Sequence, residues 1–151
     1  MKKISINSSI RNYKISFSSS LKEDINKIYK PGDIFLIDKR VFKLHKLNKY
    51  INSKKILLIN ANEKAKSFER LDRLIKKILA SKFRKNNRII VIGGGITQDI
   101  GSFISSIILR GVEWIFIPTS FLSQCDSCVG GKTSINFFGK KNQIGNFFPP
   151  S

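Results

Sequence analysis

Arg88-Ile89-Ile90-Val91-Ile92-Gly93-Gly94-Gly95-Ile96-Thr97-Gln98-Asp99 joins a β-branched run to three consecutive glycines. The run Arg88–Ile92 predicts a buried strand. From Thr97 to Arg110 the residues Ile100, Phe103, Ile104, Ile107 and Ile108 share one helical face, and Gly111 stops the pattern. Strand, glycine turn and helix together make a place where a ligand can approach the backbone. Glycine leaves the room, and the first amides of the helix, with its dipole, favour a phosphate or pyrophosphate. The spacing is not the usual dinucleotide fingerprint, since Gln98 stands where the third glycine should be and no acidic residue ends a strand about twenty residues on. A tight strand-to-helix turn is the plainer account.

Working outward, helix and strand alternate. Lys3–Ile6 and Tyr13–Phe17 read as a hairpin, and Ser20-Leu21-Lys22-Glu23 is a capping box that opens a helix through Ile25 and Ile28, stopped at Pro31-Gly32. Asp33–Asp38 reads as a buried strand, Val41–Ile51 as a short basic helix, and Lys55–Asn60 as the next strand. The clearest amphipathic helix runs from Glu63 to Leu79, with Phe68, Leu71, Leu74, Ile75, Ile78 and Leu79 in one stripe. Glu113–Ile117 is a further strand, and a loop or short helix from Pro118 leads to Gly130-Gly131. Strands separated by helices predict a Rossmann-like α/β fold, a parallel sheet with helices on both faces, over residues 1–151.

The chain has 151 residues, 41% of them hydrophobic, enough for a packed core. It carries 28 Lys or Arg against 10 Asp or Glu, a net charge of +18. Residues 1–88 hold 24 of the basic and 7 of the acidic residues, so the excess lies outside the glycine-bearing half. Such charge raises nucleic-acid binding, but the lysines are scattered among Ile, Asn and Ser and no nucleic-acid-binding motif is present, so a solvated surface is the better account. The start, Met1 to Asn7, has no apolar run for a signal peptide, and no stretch approaches a membrane span. A cytoplasmic protein is the expectation.

Two further patterns carry chemistry. Val129-Gly130-Gly131-Lys132-Thr133-Ser134 looks like the end of a Walker A loop, but the first glycine of that loop would fall on Asp126, which repels phosphate. Lys132 remains a candidate phosphate contact. Cys125 and Cys128 form a CxxC, which reads as a redox dithiol, half of a zinc site, or two small buried thiols. With His45 as the one histidine and no second CxxC, zinc lacks ligands, and buried thiols are the preferred account.

Taken together, Gly93-Gly94-Gly95-Ile96-Thr97-Gln98-Asp99, Leu109-Arg110-Gly111, Pro118-Thr119-Ser120, Gln124-Cys125-Asp126, Val129-Gly130-Gly131-Lys132-Thr133 and Lys141-Asn142-Gln143-Ile144-Gly145 closely resemble the 3-dehydroquinate synthase family in order and separation. Upstream, Glu63-Lys64-Ala65-Lys66-Ser67 resembles that family's cofactor element. The resemblance implies the N-terminal, NAD-binding domain of a sugar-phosphate cyclase. Its reaction oxidises a hydroxyl transiently, eliminates phosphate, and closes the ring by an aldol step, with NAD and a divalent metal, zinc or cobalt.

Carried over by resemblance, Gly94, Gly95, Ile96, Thr97, Gln98 and Asp99 line the NAD pyrophosphate and ribose. Glu63 and Lys66 hold the adenosine side, and Thr119, Ser120, Lys132 and Lys141 complete the cofactor site. Asp126, Lys132 and Asn142 match substrate-binding positions. Arg110 matches an arginine that reaches the substrate phosphate of a neighbouring subunit, which implies a homodimer. Asp38 is a further cofactor contact. The family's metal ligands, a glutamate and two histidines, fall beyond Ser151, so no metal site is expected in this chain. The expectation is a truncated enzyme or one half of a split one, inactive alone.

The sequence departs from the family at Ser120, where a second threonine is usual, at Ala61-Asn62 in place of Asp-Gly, at Gly139-Lys140 in place of Leu-Gly, and at both cysteines. With Thr97-Gln98, these changes resemble a divergent cyclase of a secondary pathway more than a core shikimate enzyme. Alternatives are a fragment of an iron- or zinc-dependent alcohol or glycerol dehydrogenase, which shares a GGGxxxD loop, and a non-catalytic basic remnant that binds nucleic acid.

Overall fold

The computed structural model describes residues 3–51 and 55–151; Met1, Lys2 and residues 52–54, at the start and before the second sheet strand, lie outside it. In chain order the elements are β1 (Lys3–Ile6), β2 (Tyr13–Ser16), α1 (Leu21–Ile28), β3 (Ile34–Asp38), α2 (Lys39–Leu44), β4 (Ile56–Ile59), α3 (Phe68–Ala80), β5 (Ile89–Gly93), α4 (Gly95–Ile107), β6 (Trp114–Pro118), β7 (Lys132–Phe137) and β8 (Lys140–Phe147).

β4, β3, β5 and β6 form, in that order, a four-stranded parallel sheet. Alternate residues point to opposite faces. Ile34 and Leu36 of β3, with Ile89 and Val91 of β5, pack among Leu71 and Ile78 of α3 and Ile100, Phe103 and Ile104 of α4. Phe35, Ile37, Ile90 and Ile92 pack on the other face against Ile25 of α1 and against Val41 and Phe42 of α2. Both faces are covered, which is why β3 and β5 read as continuous apolar runs rather than alternating ones. The predicted class, a Rossmann-like parallel sheet with helices on both faces, is what the chain forms.

Two features set the spacing. Gly101 lies where α4 crosses β5, and a Cβ there would come within 2.4 Å of Val91 Cγ2, so glycine sets the distance between helix and strand. At the opposite end from the glycine turn, Asp33 is 2% exposed and pairs with Arg88 at 2.6 Å, while also accepting from the amides of Lys30 and Arg88. That cluster ties the entry of β3 to the entry of β5.

Up to β3 the structure follows the reading of the sequence closely. Ser20 caps α1, its Oγ accepting from the Glu23 amide at 3.3 Å. Elsewhere the structure redraws boundaries. The basic helix expected over Val41–Ile51 is α2 alone, then a left-handed Lys46 and a 3-10 turn over Leu47–Lys49. The long helix expected from Glu63 is broken at extended Ser67 into a 3-10 turn, Glu63–Lys66, and α3. The break takes Phe68 out of the apolar stripe, where it is half exposed, as is Leu79 in the last turn. α4 starts two residues earlier than expected and ends at Ile107, and Leu109 and Arg110 turn left-handed before Gly111.

The largest departure follows Gly131, where no strand was expected. Here β7 and β8 pair antiparallel around a turn in which Phe138 and Gly139 have φ of 48° and 70°. The buried-thiol account of the CxxC is also corrected: Cys125 is exposed and Cys128 half-buried, because Cys125 sits on a π-helical turn at the surface, Ser123–Ser127, and Cys128 is that turn's C-terminal cap.

Candidate functional site

In this strand order β3 and β5 are neighbours whose connections leave in opposite directions. Their C-terminal ends therefore flank the crevice where ligands bind in open parallel sheets. Asp38 ends β3 and Gly93 ends β5. Gly94 is the extended cap of α4, and among the described residues no side chain caps that helix, which leaves its first amides unpaired with any of those side chains. A Cβ on Gly93 would strike Thr97 Oγ1 at 2.6 Å, whereas one on Gly95 would meet Ser127 Oγ no nearer than 3.9 Å. Gly93 is thus a packing glycine. Gly95 borders open space, and this open cradle at a helix N-terminus suits a pyrophosphate.

Beside the cradle a charged cluster joins three parts of the chain. Lys66 Nζ, on a side chain 5% exposed, donates to Asp99 Oδ2 at 2.7 Å and to Asn142 Oδ1 at 2.6 Å, with Glu63 Oε1 at 3.9 Å. Asn136 donates to Glu63 Oε1 at 2.9 Å and accepts from the Asn142 amide at 3.0 Å, and Ser134 Oγ donates to Asn142 Oδ1 at 2.9 Å. Burial pushes the Asp99 carboxyl above its ordinary value; the hydrogen bond and charge of Lys66 pull it down, and Glu63 adds to the rise. Asn142 holds a φ of 54°, a conformation asparagine accepts more readily than most residues, which aims its amide at Lys66.

Thr119 and Ser120 complete the rim. The Thr119 amide donates to the Gly93 carbonyl at 2.9 Å, and Ser120 exchanges hydrogen bonds with Ser123 while its Oγ abuts Gly94. Asp126 is exposed on the π-helical turn, and Lys132 is exposed at the start of β7. Lys141 borders a surface groove with Glu63, Phe68 and Phe138. Asp38 accepts from the Arg40 amide at 2.8 Å and lines a groove with Arg40, Lys43 and Asn60.

Three expected side chains lie elsewhere. Thr97 is fully buried, and its Oγ1 has no hydrogen-bond partner among the described residues. Gln98 is 3% exposed and locked to Ser127, donating to its carbonyl and accepting from its Oγ at 2.7 Å. Both sit behind the cradle and offer it backbone rather than side chain. Arg110 is exposed beyond the far end of α4, which spans roughly 20 Å, so within one chain it does not join the cluster. Sequence reasoning missed Asn136, Ser134 and Ser127, and also Tyr13, whose hydroxyl accepts from the Gly130 amide at 2.9 Å. A hairpin signal at Phe138-Gly139 would have found the first two.

Among the described residues, no three His, Cys, Asp or Glu gather as a metal would need, and no helix is long and apolar enough to cross a membrane.

A four-stranded parallel sheet with helices on both faces and an open glycine turn at its switch point defines a Rossmann-like α/β domain. The family model for the N-terminal part of 3-dehydroquinate synthase matches residues 56–151, and the chain belongs to that family. It is 35% identical over 161 residues to a 3-dehydroquinate synthase of Pelagibacter ubique (strain HTCC1062), covering 99% of this chain and 43% of that protein. The chain thus spans less than half the length of that curated relative. A solved 2-deoxy-scyllo-inosose synthase, complexed with carbaglucose-6-phosphate, NAD+ and Co2+, superposes with a TM-score of 0.83 at 24% identity, covering 99% of this chain and 44% of that one. A 2-epi-5-epi-valiolone synthase of Streptomyces hygroscopicus subsp. jinggangensis 5008, solved with NAD+ and Zn2+ bound, has a TM-score of 0.68 at 27% identity, covering 79% and 35%.

Proposed function

We propose that this chain is the NAD- and substrate-phosphate-binding part of a 3-dehydroquinate synthase-like sugar-phosphate cyclase. The observation that carries the reading is the uncapped start of α4 at the Gly94-Gly95 cradle, in the crevice between β3 and β5. Gly94, Gly95 and Ile96 present amides to the pyrophosphate. Glu63, Lys66 and Asp99 fix polar groups beside the ribose, with Asp38, Thr119, Ser120 and Lys141 at the margins. NAD supplies a reversible hydride acceptor when bound. Asp126, Lys132 and Asn142 serve the substrate, Lys132 by placing a cation where a leaving phosphate gathers charge. The curated relative's name favours dehydroquinate synthase over a secondary-pathway cyclase or a dehydrogenase, and the cyclase reaction is proposed for the whole protein of which this chain supplies this part.

Arg110 lies beyond the end of α4 opposite its own cradle, so its action on substrate requires a second copy of the chain, and a homodimer is part of the proposal. The reading is tested by thermal unfolding of the purified chain with increasing NAD. A ligand at 100 times its Kd adds about 2.7 kcal/mol of stability, several degrees for a domain of this size. No rise in Tm at millimolar NAD, with a salt-sensitive shift on random-sequence DNA instead, would sink it in favour of a basic remnant.

A further inference from the structure

Cys125 and Cys128 stand outside every role assigned above. Cys125 is exposed; Cys128 is half-buried, with its Sγ 3.2 Å from the Gln124 carbonyl. Both lie on the π-helical turn Ser123–Ser127 and its cap, where the Cys128 amide donates to the carbonyls of Ser123 and Asp126. Residues three apart along a helical turn have Cα atoms roughly 5–6 Å apart, inside the range of roughly 4.4–6.8 Å that disulfides span. Burial holds the Cys128 thiol above its ordinary value, and the nearby Cys125 and Asp126 push the same way. One thiol is open to attack from solvent, and its neighbour is withheld until a partner sulfur arrives beside it.

We propose that Cys125 and Cys128 form a vicinal dithiol that closes reversibly to a disulfide by exchange with a small disulfide of the glutathione kind, and that the bridge clamps the turn carrying Asp126 and Ser127. The Cys125 thiolate attacks one sulfur of the small disulfide; that S–S bond breaks, one small thiolate leaves, and a mixed disulfide forms. Cys128 gives its proton to solvent and attacks Cys125 Sγ, expelling the second small thiolate. The protein loses two electrons and two protons, and the small disulfide becomes two thiols. A surface bridge of this kind is labile, as regulatory disulfides are.

The clamp reaches inward through Ser127, whose carbonyl and Oγ hold Gln98 in the first turns of α4. That the bridge also alters the cofactor cradle rests on the function proposed above; the bridge and the clamp do not.

The reduced full chain is incubated with oxidised glutathione, quenched with an alkylating reagent and weighed intact, with no NAD present. The expected product lacks two hydrogen atoms and has both cysteines closed to alkylation within one peptide. Cys128→Ser halts at a glutathione adduct on Cys125, and Cys125→Ser stays largely a free thiol. Wild-type protein that stops at the adduct, couples chain to chain, or leaves both thiols open overturns the proposal. Amide hydrogen exchange over residues 120–131 slows severalfold in the bridged form, and unchanged exchange removes the clamp. Because neither readout involves NAD, failure here is distinct from failure of the cofactor reading.

Discussion

Lys66 donates to Asp99 across 2.7 Å, although 33 residues separate them, and the ammonium is almost wholly buried. This contact fastens the turn before α3 to the first turns of α4. Through Asn142 it also fastens the β7–β8 hairpin to both. A cation held by one carboxylate and one amide oxygen is rigid. It sits beside the cradle, where a dinucleotide would need fixed polar groups.

The pair has a pH signature. The Asp99 carboxyl lies above its ordinary 3.8 in the folded chain, so the folded state holds its proton more tightly than the unfolded state. The stability this group contributes is therefore present below 3.8 and is lost as pH rises through the folded value. Lys66→Met removes the group that pulls the carboxyl down, so the Asp99 titration moves further up and the window widens. Glu63→Gln moves it the other way. Carboxyl-carbon NMR titration reads both, and an Asp99 titration that stays put in Lys66→Met would contradict the assigned causes.

Gly95→Val separates the cradle from the fold. A Cβ at this position would meet only Ser127 Oγ among the described residues, at 3.9 Å, so the unliganded chain is expected to keep its Tm to within a few degrees. The added methyls occupy the space that a pyrophosphate would enter. The NAD-dependent rise in Tm is expected to disappear; if it survives, the pyrophosphate sits elsewhere.

Gly101 is governed by packing alone. Gly101→Ala places a Cβ 2.4 Å from Val91 Cγ2, and overpacking of this kind costs about 1–3 kcal/mol, more than alanine's helix preference returns. Val91→Ala should open the space, so the double variant is more stable than the sum of the two single losses. Urea unfolding of the four proteins gives the coupling, and strict additivity would show that the two sites do not touch.

The sheet was legible because its central strands, β3 and β5, are buried on both faces. Ile89–Gly93 has nothing polar to confuse it, and the Ser20-Glu23 capping box is written in adjacent residues. β7 and β8 were not legible. β8 is polar and mostly exposed, the register slips between Ile135 and Phe137, and the turn rests on a left-handed Phe138, which no propensity favours. The same gap hid Asn136, because its partner Glu63 is 73 residues away. Glu63, Lys66, Asp99 and Asn142 were named from a family pattern; that they form one cluster follows from the fold. The cysteines misled because small thiols are usually buried, whereas this turn lies on the surface.

The strongest stability effect is expected far from the cradle. Asp33 is 2% exposed and receives Arg88 through Nη2 at 2.6 Å and Nε at 3.3 Å, and Arg88 Nη2 also donates to the Ile28 carbonyl. Asp33→Ala leaves a guanidinium, 11% exposed, without its counter-charge, and frees the amides of Lys30 and Arg88. Breaking such a pair costs about 3–5 kcal/mol, a large share of a stability of about 5–15 kcal/mol. Replacing both partners with apolar residues, Asp33→Leu with Arg88→Met, removes the stranded charge and should recover most of the loss, save for the backbone amides that Asp33 serves. The urea midpoint is the measurement. A double variant as unstable as Asp33→Ala would mean that the cost lies in those two amides, and that the ion pair itself contributes little to joining β3 and β5.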